Sequence, residues 1–206
     1  MARPGILIVL SGPSGTGKGT ICKALLQNCP NINYSVSATT RTPREGEVNG
    51  VNYWFVKKEE FQTMAKNNEL LEWAEVYGNY YGTPRKHVEQ LLNSGKDVVL
   101  EIDTQGAMQI KAKFPQGVFV YIVPPSIDEL AFRINKRGSE SQESIEKRLG
   151  SVQYEISSAY DYNYVVVNDQ VEAATAKIEA IISAEKSRVE RNTDRIEAIS
   201  NRCSVS

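Results

Sequence analysis

Histidine is almost missing from this sequence: His87 is the only one in 206 residues. It follows Pro84-Arg-Lys on what reads as a polar helix face, so a solvated residue is expected. A Ser-His or Cys-His catalytic arrangement therefore has little support. Cysteine is scarce as well. Cys22, Cys29 and Cys203 form neither a CxxC pair nor a metal-ligand spacing, and free thiols in a cytosolic protein are the expected state. No apolar run approaches membrane-spanning length. Met1-Ala-Arg-Pro-Gly leads into an apolar segment without a signal-peptide pattern, so a cytoplasmic chain with no membrane partner is expected. Excess charge is absent too. A formal net charge of −1 argues against a nucleic-acid polymer as the main partner. Small anions need only a local cluster of cations and stay open. There is no internal repeat and no low-complexity tract, and the length fits one domain with room for a small insert.

What the sequence does have is concentrated near its start. Ile6 to Leu10 is an unbroken apolar run, the pattern of a strand buried on both faces. Ser11-Gly-Pro-Ser-Gly-Thr-Gly-Lys-Gly-Thr20 follows, and then Ile21, Ala24 and Leu25 recur at helical spacing. Strand, glycine loop and helix in that order form a phosphate-binding loop. Its backbone N–H groups and the helix N-terminus make a nest of positive potential, and Lys18 adds a mobile charge for the β- and γ-phosphates. The bland alternative is a tight strand-to-helix turn that happens to hold glycines. Gly12-x-x-x-x-Gly17-Lys18 fits the phosphate-loop pattern, but Gly19 stands where Ser or Thr is usual, with Thr20 one place later. That leaves no direct hydroxyl ligand for Mg²⁺ at residue 19, and the ion is expected to be held by nucleotide oxygens and water.

Along the chain, Tyr34 to Ser37 reads as a short strand and Asp97 to Asp103 as a buried one. The gap between them far exceeds a simple crossover, so an insert is expected there. Within it, Asn52–Val56 is strand-like, 58–67 helix-like, and Leu70–Tyr77 a strand. Gly78-Asn79 is expected as a type II′ hairpin turn into Tyr80-Tyr81. Strands and helices then alternate. A helix is expected over 84–93, another over 105–113, and a strand over Val118–Val123. Ser126 and Glu129 suggest a capping box opening a helix to Arg137. Ser139–Glu143 is a polar loop, and Ile145, Leu149, Val152 and Ile156 mark a further helix face. A strand follows at Tyr164–Val167. The last long helix has Ile178, Ile181, Ile182 and Val189 as its apolar stripe, and residues from about Asn192 read as a polar, fraying tail. This is an α/β chain with a five-stranded parallel sheet (near 6–10, 34–37, 98–103, 118–123 and 164–167) covered on both faces. A small α+β insert interrupts it. Ligands of such sheets bind at the carboxyl ends of the strands.

Several side chains suit that edge. Arg41 and Arg44 flank Thr42-Pro43, and Pro43 stiffens the segment between them. Two guanidinium forks fit a phosphate dianion; alone, they would read as solvated arginines. Glu72 lies between Leu71 and Trp73, and a partly buried carboxylate needs donors. The guanine edge offers N1–H and N2–H₂ to one carboxylate. Tyr53 and Tyr81 lie in strand-like parts of the insert, with core packing as the bland reading. Arg133 and Arg137 share a helix face and, with Arg148, bracket the polar loop in the manner of a lid, or else are ordinary solvated helix charges. Asp103 ends a buried strand, as an acid orienting Mg²⁺ or a substrate hydroxyl would; a helix-capping role is its bland reading.

Gly12-Pro-Ser-Gly-Thr-Gly-Lys18, Ser37-Ala-Thr-Thr-Arg-Thr-Pro-Arg-Glu-Gly-Glu47, Gly50-Val-Asn-Tyr53, Glu72-Trp73, Gly78-Asn-Tyr-Tyr-Gly-Thr83 and Val166-Val-Asn-Asp169 together resemble the guanylate kinase family, over about residues 4–186. The resemblance implies a P-loop NTPase core (4–37 and 84–186), a GMP-binding insert near 38–83, a short lid near 138–148 and a helical tail over 187–206. It implies transfer of the γ-phosphate of ATP to GMP, with Mg²⁺, and dGMP as a further acceptor. Residues Ser11, Gly12, Pro13, Ser14, Gly15, Thr16, Gly17, Lys18, Gly19 and Thr20 would hold ATP. Arg41, Arg44, Tyr53 and Tyr81 would bind the GMP phosphate. Ser37, Glu72 and Thr83 would read guanine, with Asp103 touching GMP or the metal. Lys18, Arg41, Arg137 and Arg148 would carry catalysis, and Asn168 would lie near adenine. Thr20 and Asp103 are the candidate protein contacts to Mg²⁺. Lys-Gly-Thr at 18–20 is similar to adenylate kinases. Two other readings compete: a sugar-phosphate kinase of the ribose bisphosphate type, which needs no guanine reader, and a non-catalytic guanylate-kinase-like module, which tends to have lost its phosphate loop.

Overall fold

The computed structural model describes residues 4–136 and 155–203. The main sheet contains β1 (Leu7–Ser11), β2 (Ile32–Tyr34), β7 (Asp97–Glu101), β8 (Val118–Val123) and β9 (Tyr164–Val167) in the spatial order β2-β7-β1-β8-β9. All its pairings are parallel. Strand β1 lies in the middle, with Ile8 opposite Val99 on one side and Val118 on the other. That position explains its uninterrupted apolar run, since both of its faces are covered. Ile6, Ile8 and Leu10 pack with Ile21, Cys22 and Leu25 of α1 (Lys18–Asn28) and with Ala174, Ile178 and Ile182 of α6 (Val171–Lys186). Leu7 and Val9 pack on the opposite face, with Val88 and Leu92 of α3 (Arg85–Asn93) and Ala107 and Ile110 of α4 (Thr104–Lys113). Each such fully buried aliphatic side chain contributes about 1.5–3 kcal/mol.

A second sheet is built entirely from residues between Ala38 and Pro84. Its order is β4 (Trp54–Phe55), β3 (Ala38–Thr39), β6 (Asn79–Pro84), β5 (Leu70–Val76). Helix α2 (Lys58–Lys66) closes it through Phe61, which packs with Ala38 and Leu70. This sheet docks on α4 through polar backbone contacts. The Gln109 amide accepts from Trp73 N–H at 3.3 Å and donates to the Trp73 carbonyl at 2.7 Å, and Lys113 Nζ donates to the Leu71 carbonyl.

The structure corrects several expectations. The strand expected over 34–37 lies at 32–34, where Ile32 pairs with Asp97; Ser37 instead leads into β3. Strand β7 ends at Glu101, so Asp103 lies beyond it. Only Trp54–Phe55 of 52–56 is strand. The hairpin turn is Tyr77-Gly78, because Val76 pairs with Asn79. Tyr77 and Gly78 have φ of 50° and 79°, as a type I′ turn requires, not type II′. Ser126 does cap α5 (Ile127–Lys136), accepting from Glu129 N–H at 3.1 Å. The Glu129 carboxylate, however, binds Arg133 at 2.7 Å rather than completing the box. Val189 lies past the end of α6 in a 3₁₀ turn and is exposed, so it is not part of the apolar stripe. The tail forms a further helix, α7 (Thr193–Cys203). Most of the helix expected over 145–156, and the polar loop before it, lie outside the described residues.

Candidate active site

The phosphate loop leaves the carboxyl end of β1 at the fully buried Ser11 and enters α1 at Lys18. Its shape is fixed from behind by Asn168, just past β9. The Asn168 amide donates to the Thr16 carbonyl at 2.7 Å, and its backbone N–H donates to the Val123 carbonyl at 2.8 Å. Gly17 has φ +86°, and a Cβ there would lie 2.4 Å from the Asn168 amide nitrogen. Glycine is therefore required by both conformation and space. Thr16 closes the loop on itself, its hydroxyl donating to the Pro13 carbonyl at 2.9 Å. Lys18 Nζ donates to the Gly12 and Pro13 carbonyls at 2.7 and 2.9 Å, which holds the ammonium across the loop. No side chain caps the N-terminus of α1, and this is the geometry in which helix N–H groups receive an anion.

Glu101, at the end of β7, brings both carboxylate oxygens to 3.4–3.5 Å from the point where a Cβ on residue 19 would stand. Its charge adds to the burial that raises the Cys22 thiol and the Tyr34 hydroxyl. It also adds to the burial that pushes Tyr53 up to about 12. Glu101 therefore lies between the loop and the second sheet. Asp103 is engaged elsewhere: its Oδ1 accepts from Gln105 N–H at 2.8 Å and Gly106 N–H at 3.2 Å, capping α4. Thr20 is exposed on the first turn of α1.

In the second sheet, Glu72 is 2 % exposed. Its Oε1 accepts from the Thr83 hydroxyl at 2.6 Å. Its Oε2 lies 2.3 Å from where a Cβ on Gly106 would be, so the carboxylate seats against bare backbone in the first turn of α4. Burial pushes its pKa up to about 7; the Thr83 hydrogen bond opposes this, and the charge of Asp103 adds to it. Ser37 is buried nearby in sequence to β3, with its carbonyl accepting from Trp54 N–H at 2.8 Å.

Arg41 stands at the other end of this sheet with its Cζ 5.5 Å from the centre of the Tyr53 ring. Tyr53 and Tyr81 pack edge to face at 5.9 Å. The guanidinium donates to the Thr42 carbonyl at 2.7 Å and to Glu47 Oε1 at 2.8 Å. The Glu47 hydrogen bond is the main reason its pKa is raised, with Tyr81 contributing. Arg44 is exposed. The structure thus brings Arg41, Tyr53 and Tyr81 together, and Glu72 with Thr83. Arg133 Nε binds Glu129 and its Nη1 donates to the Asn168 carbonyl at 3.1 Å, tying α5 to the segment behind the loop. Asn168 likewise commits its amide to the loop. His87 is exposed, as expected. Arg137 and Arg148 lie outside the described residues. Among the described residues no cluster of three or more His, Cys, Asp or Glu could hold a metal, and no helix is long and apolar enough to cross a membrane.

Two residues of this site, Gly106 and Glu101, carry no signal in the sequence alone, and Glu47 enters there only as the last residue of the 37–47 motif. Gly106 matters because a carboxylate from another element occupies its side-chain space. Glu101 and Glu47 read as ordinary acids until the fold places them against Gly19 and Arg41.

A parallel sheet with a glycine loop at its carboxyl edge, and a separate small sheet presenting a buried carboxylate and a cation, defines a nucleotide-binding α/β fold of the P-loop type. A family model described as guanylate kinase matches residues 5–185. A guanylate kinase of Desulfitobacterium hafniense (strain Y51) is 58% identical over 187 residues, covering 91% of this chain and 94% of that protein. One of Clostridium perfringens (strain SM101 / Type A) is 60% identical over 187 residues, covering 91% of this chain and 87% of that one. The crystal structure of guanylate kinase from Anaplasma phagocytophilum superposes with a TM-score of 0.79 at 37% identity, covering 92% of this chain and 90% of that one. The chain belongs to the guanylate kinase family.

Proposed function

We propose that the phosphate loop holds the donor, ATP, and that the second sheet, the insert of about 38–83, holds the acceptor, GMP. The chain is a nucleoside monophosphate kinase: it moves the γ-phosphate of ATP to GMP, giving ADP and GDP. One observation carries the acceptor assignment. Glu72 is a buried carboxylate whose Oε1 already accepts from Thr83 and whose remaining capacity suits the paired N1–H and N2–H₂ donors of guanine. A sugar-phosphate acceptor would leave that capacity unused at a desolvation cost.

In this reading residues 11–20 surround the ATP phosphates. Lys18 exchanges the loop carbonyls it now binds for phosphate oxygens, where its charge offsets that of the moving group. Arg41, Arg44, Tyr53 and Tyr81 hold the GMP phosphate, and Ser37 and Thr83 complete the guanine site beside Glu72. Asp103 shapes that site through its cap on α4 and its charge. Arg137 and Arg148 enter as lid cations on the resemblance of the sequence alone.

Mg²⁺ accompanies ATP in this proposal. Its oxygen-ligand chemistry fits the carboxylate of Glu101, poised over Gly19, and the hydroxyl of Thr20, exposed on the first turn of α1; Asp103 Oδ1 is occupied by the helix cap. When bound, the ion would neutralise charge on the β- and γ-phosphates. We further place the chain in the cytoplasm, with ATP and GMP, and also dGMP, as its small-molecule partners and no nucleic-acid polymer or membrane.

A coupled ADP-release assay over a panel of acceptors tests the reading. Turnover with GMP and dGMP, far above that with AMP or ribose phosphates, is expected. Preference for a sugar phosphate would replace the acceptor assignment. Binding of GMP without any turnover would favour the non-catalytic module.

A further inference from the structure

Glu47 has no role in the reaction as described so far, yet both its oxygens are committed at the acceptor-phosphate end of the site. Oε1 accepts from Arg41 Nη2 at 2.8 Å, and Oε2 accepts from the backbone N–H of Arg44 at 2.7 Å. In return, Glu47 N–H donates to the Arg44 carbonyl at 3.1 Å. Residues 44–47 thus form a tight turn, with Gly46 supplying the φ of +80° that its third position requires. The carboxylate belongs to the framework of this turn and is not a loose counter-ion. The Arg41–Glu47 pair is largely shielded, with side-chain exposures of 12% and 17%, so its geometry is held more firmly than that of a surface ion pair.

We propose that Glu47 is a positioning residue for the acceptor phosphate: it orients the Arg41 guanidinium and fixes the backbone that carries Arg44. The proposal rests on the reading that Arg41 and Arg44 hold the GMP phosphate. A guanidinium has five N–H donors. The Thr42 carbonyl and Glu47 take one each, on the side of the turn, and the aromatic rings of Tyr53 and Phe55 support Arg41 with centroids 5.5 and 5.8 Å from its Cζ. Clamped in this way, Arg41 meets an incoming phosphate without first losing its own rotamer freedom, which is the advantage of preorganisation. The carboxylate also leaves the trio Arg41, Arg44 and Glu47 with one net positive charge, so the site holds the phosphate without an uncompensated pair of cations in the ligand-free protein. The rival geometry has Glu47 standing in the phosphate's own place, to be expelled when GMP arrives. The two readings predict opposite signs.

The experiment is a double-mutant cycle on the full chain, with Glu47→Gln, Arg41→Ala and the double variant. GMP and ATP binding are measured by calorimetry, kcat and KM by the coupled assay, and Tm by thermal unfolding. Glutamine keeps the shape but replaces one acceptor oxygen with a donor group. We expect Glu47→Gln to weaken GMP binding about tenfold and to raise the KM for GMP more than it lowers kcat. ATP affinity should stay within about twofold and Tm within a few degrees. In the Arg41→Ala background the same change should cost clearly less than in the wild type, because only the part that acts through the Arg44 backbone remains to be lost. Unchanged or tighter GMP binding in Glu47→Gln overturns the proposal, and tighter binding identifies the place-holding carboxylate. An additive double variant overturns it too. If Arg41→Ala itself leaves GMP binding intact, the phosphate-site reading fails and the positioning role falls with it. If Arg41→Ala weakens GMP but Glu47→Gln does not, only the role of Glu47 is lost.

Discussion

The two halves of this site are encoded in different ways. The phosphate loop is contiguous: Gly12 to Lys18 supply its backbone curve, its cation and its entry into α1, and Asn168 reaches in from afar to brace it. The guanine pocket is assembled. Glu72 comes from β5, Thr83 from β6, and the surface they seat against is Gly106 of α4, in the other sheet's helix layer. A contiguous site moves as one piece and is disabled mainly by losing its charge. An assembled site can be damaged from any of its contributing elements, including those that never touch the ligand.

The largest effect expected is on the contiguous half. Lys18→Ala removes the ammonium but none of the glycines that set the loop. Loss of one well-placed electrostatic group in phosphoryl transfer should lower kcat by about a hundredfold or more. Far-ultraviolet circular dichroism should be unchanged. Near-normal turnover in the folded variant would remove the loop from the chemistry and break the comparison at its first term.

The next effect is on specificity. Glu72→Ala should lower kcat/KM for GMP at least about tenfold, because a hydrogen-bonded reader of two donors is lost. The GMP/AMP ratio should narrow, since adenine has no proton at N1 to lose a partner for. The KM for ATP should move little. An untouched GMP/AMP ratio would mean that the base is read elsewhere.

Gly106→Ala tests whether the pocket really depends on an element outside its own sheet. The added Cβ would lie 2.3 Å from Glu72 Oε2 and 2.9 Å from its Cδ, too close to be accommodated without displacing the carboxylate. Alanine is otherwise favoured over glycine in a helix by about 1 kcal/mol, so the helix itself is not weakened. A rise in the KM for GMP of about five- to tenfold, at unchanged KM for ATP, is expected from misplacing a specificity group by a fraction of its length. Wild-type kinetics would show that the carboxylate can shift freely and that the close approach is incidental.

The same contrast decides what could be read from the sequence. The loop was legible because its signal is local: a buried strand, spaced glycines and a helix face lie within two dozen residues. Glu72 was legible as a polar residue between Leu71 and Trp73, where burial is expected and a partner required. Gly106 was not, since glycine in the first turn of a helix has many causes and the one here is a side chain that arrives from 34 positions earlier. The sequence points to Asp103 rather than Glu101 because an apolar run does not mark the residue at which a strand stops. β7 stops at Glu101, and Asp103 becomes the helix cap. The hairpin failed for a similar reason. Asn79 next to glycine suggested the turn, but pairing of Val76 with Asn79 moves it back to Tyr77-Gly78.

The smallest effect expected is on pH dependence, and it separates the two halves by titration. Burial raises the Glu72 carboxyl from 4.5 to about 7, against the Thr83 hydrogen bond and with the help of Asp103. The ligand-free fold therefore binds this proton more tightly than the unfolded chain does. The contribution of Glu72 to stability should fall as pH rises from about 4.5 to about 7 and level off above that. GMP reverses the preference, because N1–H and N2–H₂ need an ionised acceptor. Binding must then release the proton wherever Glu72 still holds it. With a pKa near 7, the affinity gain between pH 6.5 and 8 should be about fourfold from this group. The GMP phosphate also titrates, near pH 6, and would add a slope of its own. Glu72→Gln carries the same phosphate term but no proton to release, so the difference between the two profiles isolates the carboxyl. ATP, held by the contiguous loop, should show no such difference between wild type and variant. Calorimetry in two buffers of different ionisation enthalpy would count the proton directly at pH 6.5. Equal proton release on GMP binding by wild type and Glu72→Gln would place the buried carboxylate outside the guanine site.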